Sequence, residues 1–250
     1  MIQTSNSPHG KQTLEILGVT VARGGSKRVP KKNIRELCGY PLIYHTIRES
    51  LKSRMLTRYV VNTEDEEIGE IAASYGAEVV DRPPELASDS AATIPVLRQT
   101  VSSLRDRDGY SPDIVVQLNA TSPLKQSRDI DNAINLMLET GCDAVKSVVR
   151  TMRIDRIHRL GMESQVMFCW PYRDVEMGIT RTQDCPAYYV GNGAISAVRT
   201  QYLDSGNSWK EVFYDNIKDL RGYEMPFERS VDIDTELDFM FVEFMMGAIR

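Results

Sequence analysis

Two stretches of this chain hold residue types that could do chemistry together. The first is Arg23-Gly-Gly-Ser-Lys-Arg-Val-Pro-Lys-Lys-Asn33, which crowds Arg23, Lys27, Arg28, Lys31 and Lys32 into one loop of a chain whose net charge is −5. Such a concentration of cations asks for a polyanion, and a triphosphate has the right size. Gly24 and Gly25 would let the backbone approach a ligand and offer N–H groups to anionic oxygen. A solvated charged turn is the alternative, but a Gly-Gly pair straight after an apolar strand is wasted in one. The loop is neither GxxxxGK[ST] nor GxGxxG, so it is not a Walker A loop or a dinucleotide fingerprint. The second stretch is Val231-Asp-Ile-Asp-Thr235. If extended, it projects Asp232 and Asp234 to one face and Ile233 into the core. One or two carboxylates suit Mg²⁺, with phosphate oxygens and water completing the shell. Helix capping by Asp234 or Thr235 is the competing use.

The elements that must position these residues alternate in period. Ile16–Ala22 is a short apolar run ending at Gly24-Gly25, as expected of a buried central strand. Pro41–Arg54 carries a helical apolar stripe, with His45 on it as a structural residue, and Arg58–Asn62 reads as a strand. Thr63 is placed to cap an acidic helix over Glu64–Tyr75, closed by Gly76. A strand over Glu78–Asp81, a helix over Thr93–Arg105 and a strand over Asp113–Leu118 follow. Ser127–Thr140 is a helix stopped by Gly141, and Asp143–Val149 another strand. The alternation predicts an α/β fold of three layers, a mostly parallel sheet with helices on both faces. In such a sheet ligands bind beyond the carboxyl ends of the strands, where the cationic loop falls. The rhythm breaks near Thr151. A strand returns at Asn192–Val198, Gly222–Val231 looks extended, and Thr235–Arg250 is an amphipathic helix.

Composition narrows the function classes. The chain has 250 residues, enough for one domain that buries roughly 70–75% of its unfolded surface without disulfides. An acidic balance of 30 basic to 35 acidic residues argues against a nucleic-acid binder. The opening residues lack the basic flank and apolar core of a signal peptide, and the longest apolar stretch, near Leu237–Ile249, is too short to span a bilayer. Cys38, Cys142, Cys169 and Cys185 are scattered without a CxxC pair and read as reduced thiols, which suits the cytoplasm. His9, His45 and His158 are not spaced as metal ligands.

The loop sequence ARGGSKRVPKKNI resembles the N-terminal signature of the acylneuraminate cytidylyltransferases, also called CMP-sialic acid synthetases. The likeness continues through DEEIGEIAASYGAEVVDRPPELASD, NATSPL, RTQDCPAYY, NGAI and VDIDTELD, covering about residues 15–250. The resemblance implies a glycosyltransferase-A-like nucleotide-binding fold. It also implies an Mg²⁺-dependent transfer from CTP to the anomeric hydroxyl of an acidic keto sugar, with release of pyrophosphate. By the same resemblance, Arg23, Gly24, Gly25, Ser26, Lys27, Asn33, Arg82 and Thr93 form the nucleotide site. Arg23, Lys27, Lys32 and Arg181 are implied to carry the catalytic charge, and Asp232 and Asp234 to hold the metal. Asn119, Arg181 and Gln183 are implied on the sugar side, where Asn119 replaces the family's Gln and Thr182 its second Arg. Those departures leave room for another acceptor, such as 3-deoxy-manno-octulosonate, or for a nucleotide-binding module without catalysis. Arg82 could instead pair with Asp81 or a helix, and Thr93 could be a helix N-cap.

The domain organisation expected is a loose tail over residues 1–14 and one domain over 15–250, with 151–188 as an insertion. That insertion holds Met152, Ile154, Ile157, Met162, Phe168 and Trp170 outside the strand–helix pattern, and this much apolar material asks for a partner surface. A homodimer in which the insertion completes the other chain's site is the expectation, and family resemblance points the same way.

Overall fold

A computed structural model of the chain describes residues 14–26, 28–88, 92–151, 158–163, 166–171 and 187–248. Strand β1 (Ile16–Val21) is central because both of its faces are apolar. Leu17 and Val19 pack to one side, and Ile16, with Ala22 just beyond the strand, to the other. That two-sided burial explains a continuous rather than alternating apolar run. Helix α1 (Leu42–Leu51) leads to β4 (Arg58–Thr63), and helix α2 (Glu66–Ser74) to β5 (Glu78–Asp81). Between β1 and α1 stands a small hairpin, β2 (Glu36–Leu37) and β3 (Tyr40–Pro41), turned through Cys38 and Gly39 at φ 52° and 86°. Helix α3 (Thr93–Asp108) then carries the chain back past β1 to β6 (Ile114–Leu118), and α4 (Ser127–Thr140) leads to β7 (Ala144–Thr151).

Beyond β7 a two-stranded unit, β8 (His158–Glu163) and β9 (Val166–Pro171), pairs antiparallel by itself. The long strand β10 (Tyr188–Arg199) re-enters the main sheet between β6 and β7, antiparallel to both. Strand β11 (Leu220–Glu224) completes a seven-stranded sheet in the order β11-β7-β10-β6-β1-β4-β5. All strands of this sheet but β10 run the same way, so it is mostly parallel, as expected. Helices α1, α2 and α4 contribute to an apolar cluster on one face, and α3 with residues 203–217 to a cluster on the other. Helix α5 (Glu236–Ala248) closes the chain.

Several expected boundaries shift for identifiable reasons. Helix α2 starts two residues late because Asp65, not Thr63, is its N-cap, accepting from the Ile68 N–H at 3.0 Å. Thr63 ends β4 and accepts the Asp65 N–H instead. Helix α3 runs on to Gly109, the first residue able to take the left-handed conformation at φ 75°. The stretch from Gly222 is extended only to Glu224; Phe227–Arg229 is a 3-10 turn. Helix α4 has the expected bounds, ended by Gly141 at φ 69°. Of the insertion only Thr151, the β8–β9 pair and Ala187–Tyr188 are described, and the tail to residue 13 lies outside the described residues.

The start of α4 is fixed by a buried carboxylate. Asp129 takes both Arg229 N–H groups, at 2.9 and 2.7 Å, and also the Tyr223 hydroxyl and the Gln126 N–H. Removing one partner of such a pair strands the other charge. Asp129→Ala should therefore lower unfolding stability by about 3–5 kcal/mol in a urea melt. An added Arg229→Met should recover part of that; a double variant as unstable as the sum of the singles would disprove the coupling.

Candidate functional site

Leaving β1, the chain winds to β4 and β5 on one side and returns to β6 on the other, which makes the gap beyond Val21 and Leu118 a topological switch point. A cavity of about 380 Å³ opens there. Arg23, Ser26, Lys32 and Asn33 line it from the cationic loop. Arg82, Thr93 and Asn119 line it from β5, α3 and β6. The structure therefore brings together most of the residues expected to hold a nucleotide. Lys27, Arg181 and Gln183 lie outside the described residues.

The loop is held in place by its own side chains. Asn33 is buried and donates from Nδ2 to the Arg23 carbonyl at 2.9 Å. Val29 is fully buried in a third apolar cluster with Leu37, Leu42, Ile233 and Phe239, which fastens the loop to the C-terminal segment. The Gly24 N–H is already used, donating to Glu64 Oε1 at 3.0 Å. A Cβ at Gly24 would lie 2.1 Å from Asp65 Oδ2. Packing of the loop against the start of α2 therefore favours glycine here, whatever the loop binds.

Arg82 is the buried floor of the cavity. Its Nε donates to Asn62 Oδ1, and Nη2 to the carbonyls of Ala22 and Asn62, each at 2.8 Å. Nη1 pairs with Glu64 at 3.0 Å, so its ion-pair partner is Glu64 rather than Asp81. Burial lowers its pKa, opposed by Glu64. Thr93 is the first helical residue of α3 and not its cap; that position belongs to Ala92, which has no side-chain oxygen to give. The first turn of α3 therefore has no side-chain cap at the cavity wall.

Asp232 and Asp234 do not line this cavity themselves; Asp234 meets its lining residue Lys32. Ile233 between them is fully buried, and the two carboxylates are half-buried and exposed, as the alternation implies. Lys32 donates to the Ile233 carbonyl at 2.6 Å and lies 3.5 Å from Asp234 Oδ1; Arg28 reaches Asp234 Oδ2 at 3.8 Å. Capping of α5 falls to Thr235, whose hydroxyl accepts the Asp238 N–H, while Asp238 Oδ2 takes the Asp234 and Thr235 N–H groups. Asp234 is thus spared that task. Among the described residues no third His, Cys, Asp or Glu joins the pair in a closed cage. Two carboxylates alone suit a hard cation that takes its remaining ligands from phosphate and water.

Beside the acidic pair, Asn119 Nδ2 donates to the Gly193 carbonyl and its Oδ1 accepts from Gln117 Nε2, both at 2.7 Å. Gly193, at φ 72°, has Asn119 on one side and Asp232 on the other. Sequence reasoning missed Gln117, Glu64 and Lys125. Lys125 is almost fully buried, and burial pulls its ammonium down to about 7 against the carboxylates of Asp232, Glu49 and Asp129. Nothing local marks it, since a lysine just before a helix reads as a solvated charge. His45 is a buried structural residue as expected, its Nε2 donating to the Leu37 carbonyl at 3.0 Å.

Comparison with known proteins gives the chain its family. A family model described as cytidylyltransferase matches residues 18–166. The chain is 30% identical over 248 residues to N-acylneuraminate cytidylyltransferase A of Danio rerio, a match covering 96% of this chain and 52% of that protein. It therefore spans about half the length of that relative. It is 31% identical to the post-translational flagellin modification protein B of Campylobacter coli, covering 93% of this chain and 95% of that one. Among solved structures it resembles a CMP:2-keto-3-deoxy-manno-octonic acid synthetase complexed with CTP. The TM-score is 0.70 at 17% identity, over 94% of this chain and all of that one, a likeness of fold.

The contact between Gly24 and Asp65 can be tested directly. Gly24→Ala should cost about 1–3 kcal/mol of stability in a denaturant melt. Asp65→Ser, which keeps a capping oxygen and withdraws the obstructing carboxylate, should restore part of the loss when combined with it. A Gly24→Ala loss of the same size in the wild-type and Asp65→Ser backgrounds would refute the packing explanation.

Proposed function

The chain belongs to the cytidylyltransferase family, and on that premise we propose that it transfers the cytidylyl group of CTP to the anomeric hydroxyl of an acidic keto sugar. The products are a CMP-sugar and pyrophosphate, and the acceptor class is a sialic acid-like nonulosonate. The observation that carries this reading is the Lys32 ammonium, which lines the cavity and at the same time touches the Asp232–Asp234 segment. Nucleotide and acidic pair are thereby within reach of one another.

In this reading the triphosphate lies along the 23–33 loop, with Arg23, Lys27 and Lys32 compensating its charge. Fixed cations at the site where charge develops need no reorganisation during reaction. Cytosine and ribose occupy the space between Arg82 and Thr93, and Asn33 keeps the loop in the shape that receives them. The sugar approaches from the side of Asn119, with Arg181 and Gln183 of the insertion meeting its carboxylate. Asp232 and Asp234 would hold Mg²⁺, which when bound draws charge from the α-phosphate and favours ionisation of the attacking hydroxyl. Lys32 and Arg28 partner Asp234 in the meantime, so an uncompensated carboxylate is avoided.

An acceptor such as 3-deoxy-manno-octulosonate is a second reading. It is favoured by Asn119, whose short amide is already engaged by Gln117 and Gly193 and so reaches less far than the Gln of the family pattern. A module that binds CTP without transfer would show CTP affinity but no pyrophosphate. The assembly proposed is a C₂ homodimer joined through residues 151–188, in the cytoplasm. Exposed Tyr189 and Val190, where β10 leaves that insertion, give it an apolar footing. No helix among the described residues is long and apolar enough to cross a membrane.

Pyrophosphate release should accompany CTP only with an acidic keto sugar and Mg²⁺, measured across a panel of nonulosonates and 3-deoxy-manno-octulosonate; release with none of them would end the reading. Asp234→Ala should lose turnover by roughly a hundredfold while its melting temperature stays unchanged. The dimer has its own test. Mixing an Arg181→Ala chain with an Asp234→Ala chain should recover activity, because only a shared site can complement; a fully active monomer by light scattering would sink that proposal.

A further inference from the structure

The strongest unexplained feature beside the cavity is the buried side chain of Lys125. We infer that Lys125 is a positioning residue for the transfer reaction, its ammonium fixing the Asn119–Ser122 turn against the Asp232–Asp234 pair. This inference rests on the cytidylyltransfer reading for its catalytic consequence and on geometry for the rest.

The Nζ has three acceptors for its three protons: Thr46 Oγ1 at 2.7 Å, the Asn119 carbonyl at 2.5 Å and the Ser122 carbonyl at 3.0 Å. All three oxygens are neutral, so the ammonium is held by hydrogen bonds and not by a direct ion pair. A cation so placed is costly to bury, and it would be replaced at little loss by an apolar residue if it served packing alone. What the ammonium holds explains its retention. Asn119 carries the amide that faces the acceptor side and donates to Gly193. Ser122 Oγ lies 3.4 Å from Asp232 Oδ1, and the Thr121 carbonyl accepts the Ile233 N–H at 2.8 Å. One buried cation therefore ties helix α1, through Thr46, to the turn on which both the sugar-side amide and the acidic segment lean. The carboxylates of Asp232, Glu49 and Asp129 surround it at longer range and favour its charge. A change of its position would displace the sugar-side amide and the acidic segment together, while Arg82, which shares no partner with Lys125, keeps its own hydrogen bonds.

Two variants test this: Lys125→Met keeps the length and removes the ammonium, and Thr46→Val keeps the shape and removes one acceptor. Lys125→Met should lower kcat/KM for the acceptor sugar by roughly tenfold to a hundredfold, with the Kd for CTP measured without Mg²⁺ within about threefold of wild type, since Arg82 and its partners are untouched. In amide hydrogen exchange, Ile233 should open about tenfold faster relative to Val116 in β6, because the loss is local. Thr46→Val should move both quantities in the same direction by a smaller factor. Equal acceleration at Ile233 and Val116 would reduce Lys125 to general support of the fold and overturn the inference, as would an unchanged kcat/KM in folded Lys125→Met. Should Lys125→Met fail to fold, Thr46→Val decides by the same two measures. A wild-type chain without transfer to any acceptor would instead remove the functional reading, and the Ile233-to-Val116 ratio would still decide what Lys125 holds.

Discussion

The carboxyl end of the sheet depends on one buried guanidinium. Arg82 reaches the carbonyl of Ala22, just past β1, and that of Asn62, one residue before the end of β4, as well as the Asn62 side chain and Glu64. The Asn62 carbonyl also takes the Ala22 N–H at 3.0 Å, so Arg82 adds a second donor there and supplies one to Ala22, in a buried crevice where carbonyls need partners. Arginine supplies several donors in a rigid plane, so a single side chain can close two strand ends at once. Asn62 is fixed from the other side by Gln99 and Thr100 of α3, which joins the helix to the same lattice. The floor of the cavity is consequently rigid before any ligand arrives.

The opposite boundary is built differently, from apolar packing around a charged rim. Val29 of the cationic loop, Leu37 of the small hairpin, Leu42 of α1 and Ile233 with Phe239 near the C-terminus share one cluster. Cations that would otherwise repel one another are held close because their loop is anchored by Val29 and balanced by Asp234, Glu67 and the Ile233 carbonyl. Preorganisation of this kind shifts the cost of assembling like charges from the binding event to folding. It also makes the distant ends of the chain interdependent, since the first loop and the last helix share a core.

Much of the framework could be read from the residues alone, where the determinant was local. Gly141 ended α4 where expected because a left-handed residue must follow the helix, and β1 was recognisable because burial on both faces leaves an unbroken apolar run. The acidic pair was readable from its spacing around Ile233. Features fixed by distant partners were not. Asp65 displaced Thr63 as a cap because Thr63 was still needed in β4, and the two-residue strands β2 and β3 are too short to show a period. Residues 200–216 form 3-10 and π turns whose form answers to packing against α3 rather than to any pattern of their own. Lys125 was unreadable for the same reason: Thr46, the acceptor on α1, lies 79 positions away.

The reversed strand β10 gives the sheet a seam. Where it faces β7 the register slips, so that Asn192–Ile195 stand opposite Ser147, whose hydroxyl bonds Asn192 Oδ1 and receives the Ile195 N–H in place of the missing ladder contacts. Gly193 sits in that slip, between Asn119 and Asp232. The strand comes directly from residues 151–188 and runs between β6 and β7, whereas Asn119 beside it comes from the turn after β6. The Arg82 end of the cavity is bounded by β1, β4, β5 and α3, and β10 pairs with none of those strands. On the cytidylyltransfer proposed above, descendants of such a chain could lengthen, shorten or rewrite the excursion ahead of β10 and change the acceptor while β1, β4 and β5 keep their pairing.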